Sequence, residues 1–314
     1  MARLATHGAG KGGAAIKILV SGSTGLIGSA LVPFLTTGGH SVVRLIRTET
    51  RPGQAAVYWD PAAGKIDSSA LEGLDAVVHL AGENIAARRW TPAQKARIRD
   101  SRVQGTRLLA QSLARLQQPP KVMVCASAIG FYGDRGEELL TEASAPGSGF
   151  LTDTCRAWEA AAQPASEKDI RVVNLRLGVV LSPGGGALAK MLLPFRLGVG
   201  GQIGSGRQYM SWIEIDDVVG VIHYALTTDE LRGPVNAVAP NPVTNREFTK
   251  TLGRVLSRPT IFPMPAFAAR LAFGEMADEL LLASTRVKPA RLQNSGYYFR
   301  HPRLEDALRH LLGK

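Results

Sequence analysis

The sequence predicts an α/β protein in which a doubly wound parallel sheet is followed by a smaller C-terminal substrate lobe, and three observations predict it. Gly22, Gly25 and Gly28 of "SGSTGLIGSA" stand at a three-residue pitch directly after the apolar run "IKILV". Short apolar runs then alternate with stretches of helical periodicity up to residue 181, as expected when strands are joined by crossover helices. From Ser182 the pattern changes, because Gly184 to Gly186, Gly198, Gly200, Gly201, Gly204 and Gly206 break the chain into loops and short helices.

In chain order, "IKILVSG" reads as the first strand, "LIGSALVPFLTTGG" as a helix ended by Gly38 and Gly39, and "HSVVRLIR" as the second strand. "AAVYW" and "LDAVVHLAG" read as the third and fourth. Thr91 then caps, and Pro92 starts, a helix that puts Leu109, Leu113 and Leu116 on one face and that Pro119 and Pro120 are expected to end. "KVMVCASA" is the fifth strand, "FLTDTCRAWEAAA" a helix and "IRVVNLRLGVVL" a sixth, unbroken strand. The expected organisation is a flexible tail at 1–15, a dinucleotide-binding domain at 16–181 to which segments near 212–240 return, and the smaller lobe at 182–314.

Composition removes several function classes. Of 314 residues, 45% are hydrophobic and 20% charged, which is ordinary globular material. No apolar run approaches the roughly 18 residues of a membrane helix, and the stretch at 266–284 carries Arg270, Glu275, Asp278 and Glu279. The first fifteen residues lack the apolar core of a secretory signal, and "GAGKGG" misses the phosphate-loop pattern. Two cysteines, Cys125 and Cys155, make no disulfide framework, so the expected compartment is the cytoplasm. A net charge of +11 invites a nucleic-acid partner, but the densest basic segment, "RRWTPAQKARIRDSRVQGTR", has Trp90 as its one aromatic, so solvated helix faces explain it better. The six histidines show no metal-ligand spacing, and His79, inside an apolar strand, reads as a core residue. No metal is expected. The expected partners are a small-molecule substrate and, optionally, a second copy in a homodimer, with neither nucleic acid nor membrane.

Glycines at a strand-to-helix turn let a pyrophosphate approach bare backbone and rest on the positive end of the helix. Gly22 permits the tight turn, Gly25 the close approach and Gly28 the packing of helix on sheet, with Ser23, Thr24, Leu26 and Ile27 completing the cradle of a Rossmann-type dinucleotide site. The tip of the second strand selects the dinucleotide: an acid there would hold a ribose 2′-hydroxyl, whereas an arginine accommodates a 2′-phosphate. Ile46 and Arg47 stand there, with Glu49 two residues later, so NADP is the expected cofactor.

The "SGSTGLIG" turn, "HLAG", "RVQGT", "SAIGFYG" and "WIEIDDVVGVI" resemble the extended short-chain dehydrogenase/reductase group, the NAD(P)-dependent epimerases and dehydratases, over residues 16 to about 245. "LAGENIAARRW", "LLPFRLGVGGQIGSGRQYMSWI" and "TRVKPARLQNSGYYFRHPRLEDAL" are similar to its atypical subgroup with a C-terminal module of its own. The resemblance implies that Leu80, Ala81 and Gly82 flank the cofactor and that Gly178 to Val180 pass its nicotinamide end. Arg102 stands where the group usually has Asn, as a contact for a cofactor phosphate or acidic substrate, or as a solvated helix cation.

The group's Tyr-x-x-x-Lys is missing: counting back from Glu159 puts Leu151 at the tyrosine position and Cys155 at the lysine position. Ser127 remains, either to hydrogen-bond a substrate carbonyl or as a helix-start hydroxyl. Tyr132 is the nearest phenol in sequence, either a proton donor on a loop that swings over the nicotinamide or a packing aromatic. Arg156, beside the vacant lysine position, would orient the ribose, and Asp216 and Asp217 would cap a helix. Two readings stand: an NADP-dependent oxidoreductase or epimerase acting on a small carbonyl or sugar-nucleotide-like substrate, and a non-catalytic NADP-binding sensor.

Overall fold

The structure, a computed structural model, describes residues 15–51 and 53–314; the expected tail, all but Ala15, lies outside them. β1 (Lys17–Ser21) leads through the glycine turn into α1 (Leu26–Thr37), followed by β2 (Ser41–Ile46), β3 (Ala56–Asp60), a short antiparallel β4 (Lys65–Ile66) and β5 (Ala76–His79). α2 (Pro92–Leu113), β6 (Val122–Ala128), a tight turn at Ile129–Tyr132, β7 (Leu139–Leu140), α3 (Phe150–Ala160), α4 (Gln163–Ser166) and β8 (Arg171–Leu177) come next. The chain continues through β9 (Val179–Ser182), α5 (Gly186–Arg196), β10 (Tyr209–Met210), β11 (Trp212–Glu214), α6 (Ile215–Thr227) and β12 (Gly233–Ala237). It closes with β13 (Val243–Thr244), α7 (Asn245–Leu256), α8 (Ala266–Phe273), β14 (Arg286–Val287), α9 (Ala290–Asn294) and α10 (Leu304–Leu312).

The eight-stranded sheet runs β12-β8-β6-β5-β1-β2-β3-β4, all parallel except β4. Strands with both faces covered need apolar residues on both sides, and β1 supplies them. Ile18 and Val20 pack with Leu31 and Leu35 of α1 and Val218 and Ile222 of α6, while Leu19 packs with Val77, Leu109, Leu113 and Met123 on the opposite face. A separate core of Leu188, Leu192, Trp212, Phe248, Leu252 and Leu308 holds α5, α7 and α10 together.

Two elements end differently from the sequence expectation. α2 starts as expected, with Thr91 accepting from the Gln94 amide at 3.2 Å, but it stops at Leu113, ahead of Pro119 and Pro120. The Glu72 carboxylate takes the amides of Gln117 and Gln118 at 2.9 and 3.1 Å and holds the segment after α2 in a non-helical path. The expected unbroken sixth strand divides at Gly178, after which β9 leaves the sheet to pair with β11. A Cβ at Gly178 would lie 2.6 Å from the Ser211 carbonyl oxygen and 2.8 Å from Val238, so the crossing requires glycine.

The first residue of β8 also ends α6. The Arg171 guanidinium, on a residue 9% exposed, donates to the carbonyls of Ala225 at 2.8 Å, Leu231 at 3.0 Å and Leu226 at 3.1 Å. These include last-turn acceptors that the helix cannot satisfy itself. Arg171→Met keeps the apolar stem and removes the donors, and is expected to lower stability by about 1.5–3 kcal/mol. An unchanged urea midpoint would show the carbonyls to be satisfied without it.

Candidate functional site

From β1 the sheet is built outward through β2 and β3 on one side and through β5, β6 and β8 on the other, so a crevice opens beyond the carboxyl ends of β1 and β5. The glycine turn lies there. Gly22 has φ 66°, and a Cβ on it would meet the Leu80 carbonyl at 2.8 Å and the Ala81 nitrogen at 2.9 Å. A Cβ on Gly28 would lie 2.2 Å from the Gly22 oxygen, so these two glycines seat the turn on β5 and the helix on the turn. Gly25 differs: its φ of −75° suits any residue, and a Cβ there would meet one atom within 4 Å, the Gly22 oxygen at 3.3 Å. Thr24 and Gly25 are exposed, and α1 has no side-chain cap and no first-turn acid. Its leading amides therefore face the crevice as open donors.

Behind the turn, Ser21 Oγ accepts from the amides of Leu80 at 3.1 Å and Ala81 at 3.2 Å and lies 2.7 Å from His79 Nδ1. With both amides donating to the serine, its hydroxyl proton goes to Nδ1, leaving the imidazole proton on Nε2, which has no partner among the described residues. Complete burial lowers the His79 pKa to about 4, so the ring is neutral.

Around this crevice the structure gathers several of the expected residues. Leu80, Ala81 and Gly82 follow β5, Ile46 ends β2, and Arg47 stands exposed just beyond it. Gly178 and Val180 bracket the departure of β9, and the loop into α5 touches the turn, since a Cβ on Gly185 would lie 3.0 Å from Leu26. Arg102 lies against Gly82, whose Cβ would be 3.3 Å from the guanidinium carbon, and over the Trp158 ring at 5.0 Å. It donates to the Ile98 carbonyl at 3.0 Å, and burial lowers its pKa, opposed by Cys155 once that thiol ionises and by Glu83.

Leu151 and Cys155 face Gly130, whose Cβ would lie 3.2 Å from the leucine and 3.8 Å from the sulfur. Leu151 belongs to an apolar cluster with Trp90, Ile98 and Met276. Burial, reinforced by Glu159, pushes the Cys155 thiol up to about 12, so it stays protonated at neutral pH and is not a nucleophile. Arg156 is exposed and lines a shallow hollow with Phe131, Asp153 and Glu159.

Ser127 and Tyr132, the two residues expected to be catalytic, are both tied into a buried polar network. Ser127, 2% exposed, donates its hydroxyl to Glu159 Oε1 at 2.7 Å. Arg176, its neighbour across β6 and β8, binds the same carboxylate through Nε and Nη2, both at 2.8 Å. Tyr132 is 0% exposed, and its hydroxyl donates to Asn236 Oδ1 at 2.7 Å and accepts from Arg176 Nη1 at 3.0 Å. Burial raises its pKa, with Arg176 and Asn236 pulling the other way. Glu159 and Arg176 pair between α3 and β8 across 17 residues, and since both segments carry other charged residues, no local signal in the sequence marks the pair.

Asp216 and Asp217 do not cap α6 with their side chains. Asp217 accepts from the Tyr297 hydroxyl and the amides of Arg300 and His301, at 3.0–3.4 Å, and thereby fastens the C-terminal segment.

Residues 18–237 match the family described as "NAD dependent epimerase/dehydratase family", and residues 264–311 match a domain of unknown function, DUF1731. The chain is 43% identical over 291 residues to an epimerase family protein of Mycobacterium bovis, covering 93% of this chain and 96% of that protein. A crystal structure of the human epimerase family protein SDR39U1 with NADPH is similar with a TM-score of 0.87 and 38% identity, over 95% of this chain and all of that one (100%). A nucleoside-diphosphate sugar epimerase from Corynebacterium glutamicum is similar with a TM-score of 0.80 and 40% identity, over 96% of this chain and 59% of that one.

His79 gives a pH signature. Its folded pKa of about 4 lies below the ordinary histidine value of 6.5, so the unfolded chain binds the extra proton between these values. The contribution is complete above pH 6.5 and is lost as pH falls towards 4, on the order of 2 kcal/mol between pH 7 and 5. Urea unfolding should show this slope in the unmodified protein and a flatter one in His79→Gln; equal slopes would exclude the histidine.

Proposed function

Because the chain belongs to the NAD dependent epimerase/dehydratase family, we propose that it binds NADP(H) in the crevice between β1 and β5 and acts as an oxidoreductase or epimerase on a small carbonyl or sugar-nucleotide-like compound. The observation that carries the proposal is the bare backbone at Gly25 beside the open amides of α1, a cradle that even a Cβ would begin to fill. Arg47 at the tip of β2, with no acid at that position, favours a 2′-phosphate, and the human relative's structure with NADPH supports the same preference. Leu80 to Gly82 would form one wall, and Gly178 to Val180 would border the far end.

When bound, the nicotinamide ring gives or takes a hydride. The chain's own part is to hold the pyrophosphate on α1, to turn the 2′-phosphate to Arg47 and to present the Arg102 guanidinium at Gly82 to an acidic or carbonyl group. Residues 182–314, apart from the α6 to β12 segment, are proposed as the substrate lobe. Two buried, unpaired cysteines fit a reducing compartment such as the cytoplasm, and no described helix is long and apolar enough to cross a membrane.

A second reading, cofactor binding without turnover, is favoured by one specific arrangement: Leu151 and Cys155 stand where the proton relay would be, while Ser127 and Tyr132 are engaged elsewhere. Screening carbonyl compounds against bound NADPH separates the readings, since loss of nicotinamide absorbance with any substrate supports the first and none across the screen supports the second.

Two binding predictions follow from the cradle. Gly25→Val should abolish NADPH binding with little change in thermal midpoint, because the position is open and its backbone ordinary. Arg47→Ala should remove about 1.5–3 kcal/mol of the preference for NADP over NAD. Calorimetry on both variants checks this; equal NADP and NAD affinities in the unmodified protein would sink the 2′-phosphate assignment.

A further inference from the structure

We propose that Glu214, His301 and His310 form a divalent-cation site of the zinc class that joins the nucleotide-binding domain to the C-terminal module. One ligand atom from each residue lies within 4.8 Å of the others. Glu214 ends β11 within the 18–237 match, whereas both histidines lie within the 264–311 match. The isolated histidine spacing gave no sign of this, yet folding stacks the two imidazoles with centroids 4.5 Å apart.

The glutamate supplies the independent observation. Its side chain is 0% exposed, Oε1 is 2.6 Å from His301 Nδ1, and Oε2 is buried with no hydrogen-bond partner among the described residues. A buried carboxylate oxygen without a donor is costly unless a cation or donor reaches it. Two imidazoles and a carboxylate are the borderline donor set that zinc and its first-row neighbours take. Asp216 Oδ2 is 2.8 Å from His310 Nε2, which leaves Nδ1 of that ring for the cation and makes Asp216 the partner that fixes its tautomer. Asp217, through the Arg300 and His301 amides, holds the histidine-bearing segment in place. The neighbouring guanidinium groups of Arg303 and Arg309 are engaged by Asp306 and Glu305, which reduces their repulsion of a cation.

Exposure rises from Glu214 at 0% through His301 at 26% to His310 at 46%, so the cation has a buried floor and an open mouth. Three protein ligands with an open side describe an exchangeable site completed by water. It stands on its own residues and does not depend on the cofactor proposal.

The test is titration of the chelator-treated full chain with Co²⁺, followed by its visible absorption and by competition with Zn²⁺. The expected result is one Co²⁺ per chain, displaced by Zn²⁺, with a raised thermal midpoint and unaltered NADPH binding. His310→Ala, at a partly exposed position that the fold tolerates, should abolish the absorption, and Asp216→Asn should weaken binding about 10–100-fold. His223→Ala, which alters the separate His40–His223 pair, should leave the spectrum as it was. No uptake, or uptake that survives His310→Ala, would overturn the proposal, as would uptake lost in His223→Ala alone.

Discussion

The buried ion pair between Arg176 and Glu159 settles what the region beyond β6 can do. Their side chains are 4% and 13% exposed. Taking two charges out of water costs several kcal/mol per ion and is offset only where the remaining donors and lone pairs are satisfied. Here the guanidinium meets the carboxylate through two nitrogens, gives a third to Tyr132, and lays its face over the Phe131 ring. Ser127 completes the carboxylate's partners. The network is well satisfied because it absorbs the serine and the tyrosine, and for that reason neither is free for a substrate. Losing one charged partner would strand the other, typically at about 3–5 kcal/mol, so the arrangement is rigid as well as closed.

The C-terminal module compensates for what α3 lacks. α3 begins at Phe150 after Gly149, with no side-chain cap of its own. Glu279 supplies one from a distance: its two oxygens lie 3.2 Å and 3.3 Å from the amides of Phe150 and Leu151, where a carboxylate also complements the helix dipole. Met276 and Phe273 join Trp90 and Ile98 around the Leu151 side chain. A leucine at the usual tyrosine position thus gains an apolar setting made partly by the module.

The sheet and the glycine turn were legible because their signals are local. Alternating apolar runs, a Thr-Pro helix start and a three-residue glycine pitch are each complete within about a dozen residues. The departures were encoded at a distance. Gly178 breaks a strand on account of Ser211 and Val238; α2 stops under the influence of Glu72; Ser127, Tyr132 and Asp217 are claimed by partners 32, 104 and 83 residues away. Glu214 and His301 meet across 87 residues. Such pairings carry no periodicity, and a hydroxyl looks the same in sequence whether it faces a substrate or a buried carboxylate.

Cofactor binding and proton chemistry are consequently separable in this fold. The turn depends on contacts between β1 and β5, with Gly22 against Leu80, Gly28 against Gly22, and Ser21 joining His79 to the amides that follow it. Proton chemistry in the wider family depends on β6 and α3, and there this chain has an aliphatic side chain, a thiol pushed up to about 12, a committed serine and a buried phenol with a raised pKa. Proton transfer at neutral pH is most effective when the donor's pKa lies near the working pH. None of those four groups meets that condition, whereas the turn proposed to hold the dinucleotide lies outside their network. The leucine and cysteine of α3 therefore leave the proposed cradle untouched, and any turnover must draw its proton from the substrate, from solvent or from a residue outside the positions the family normally uses.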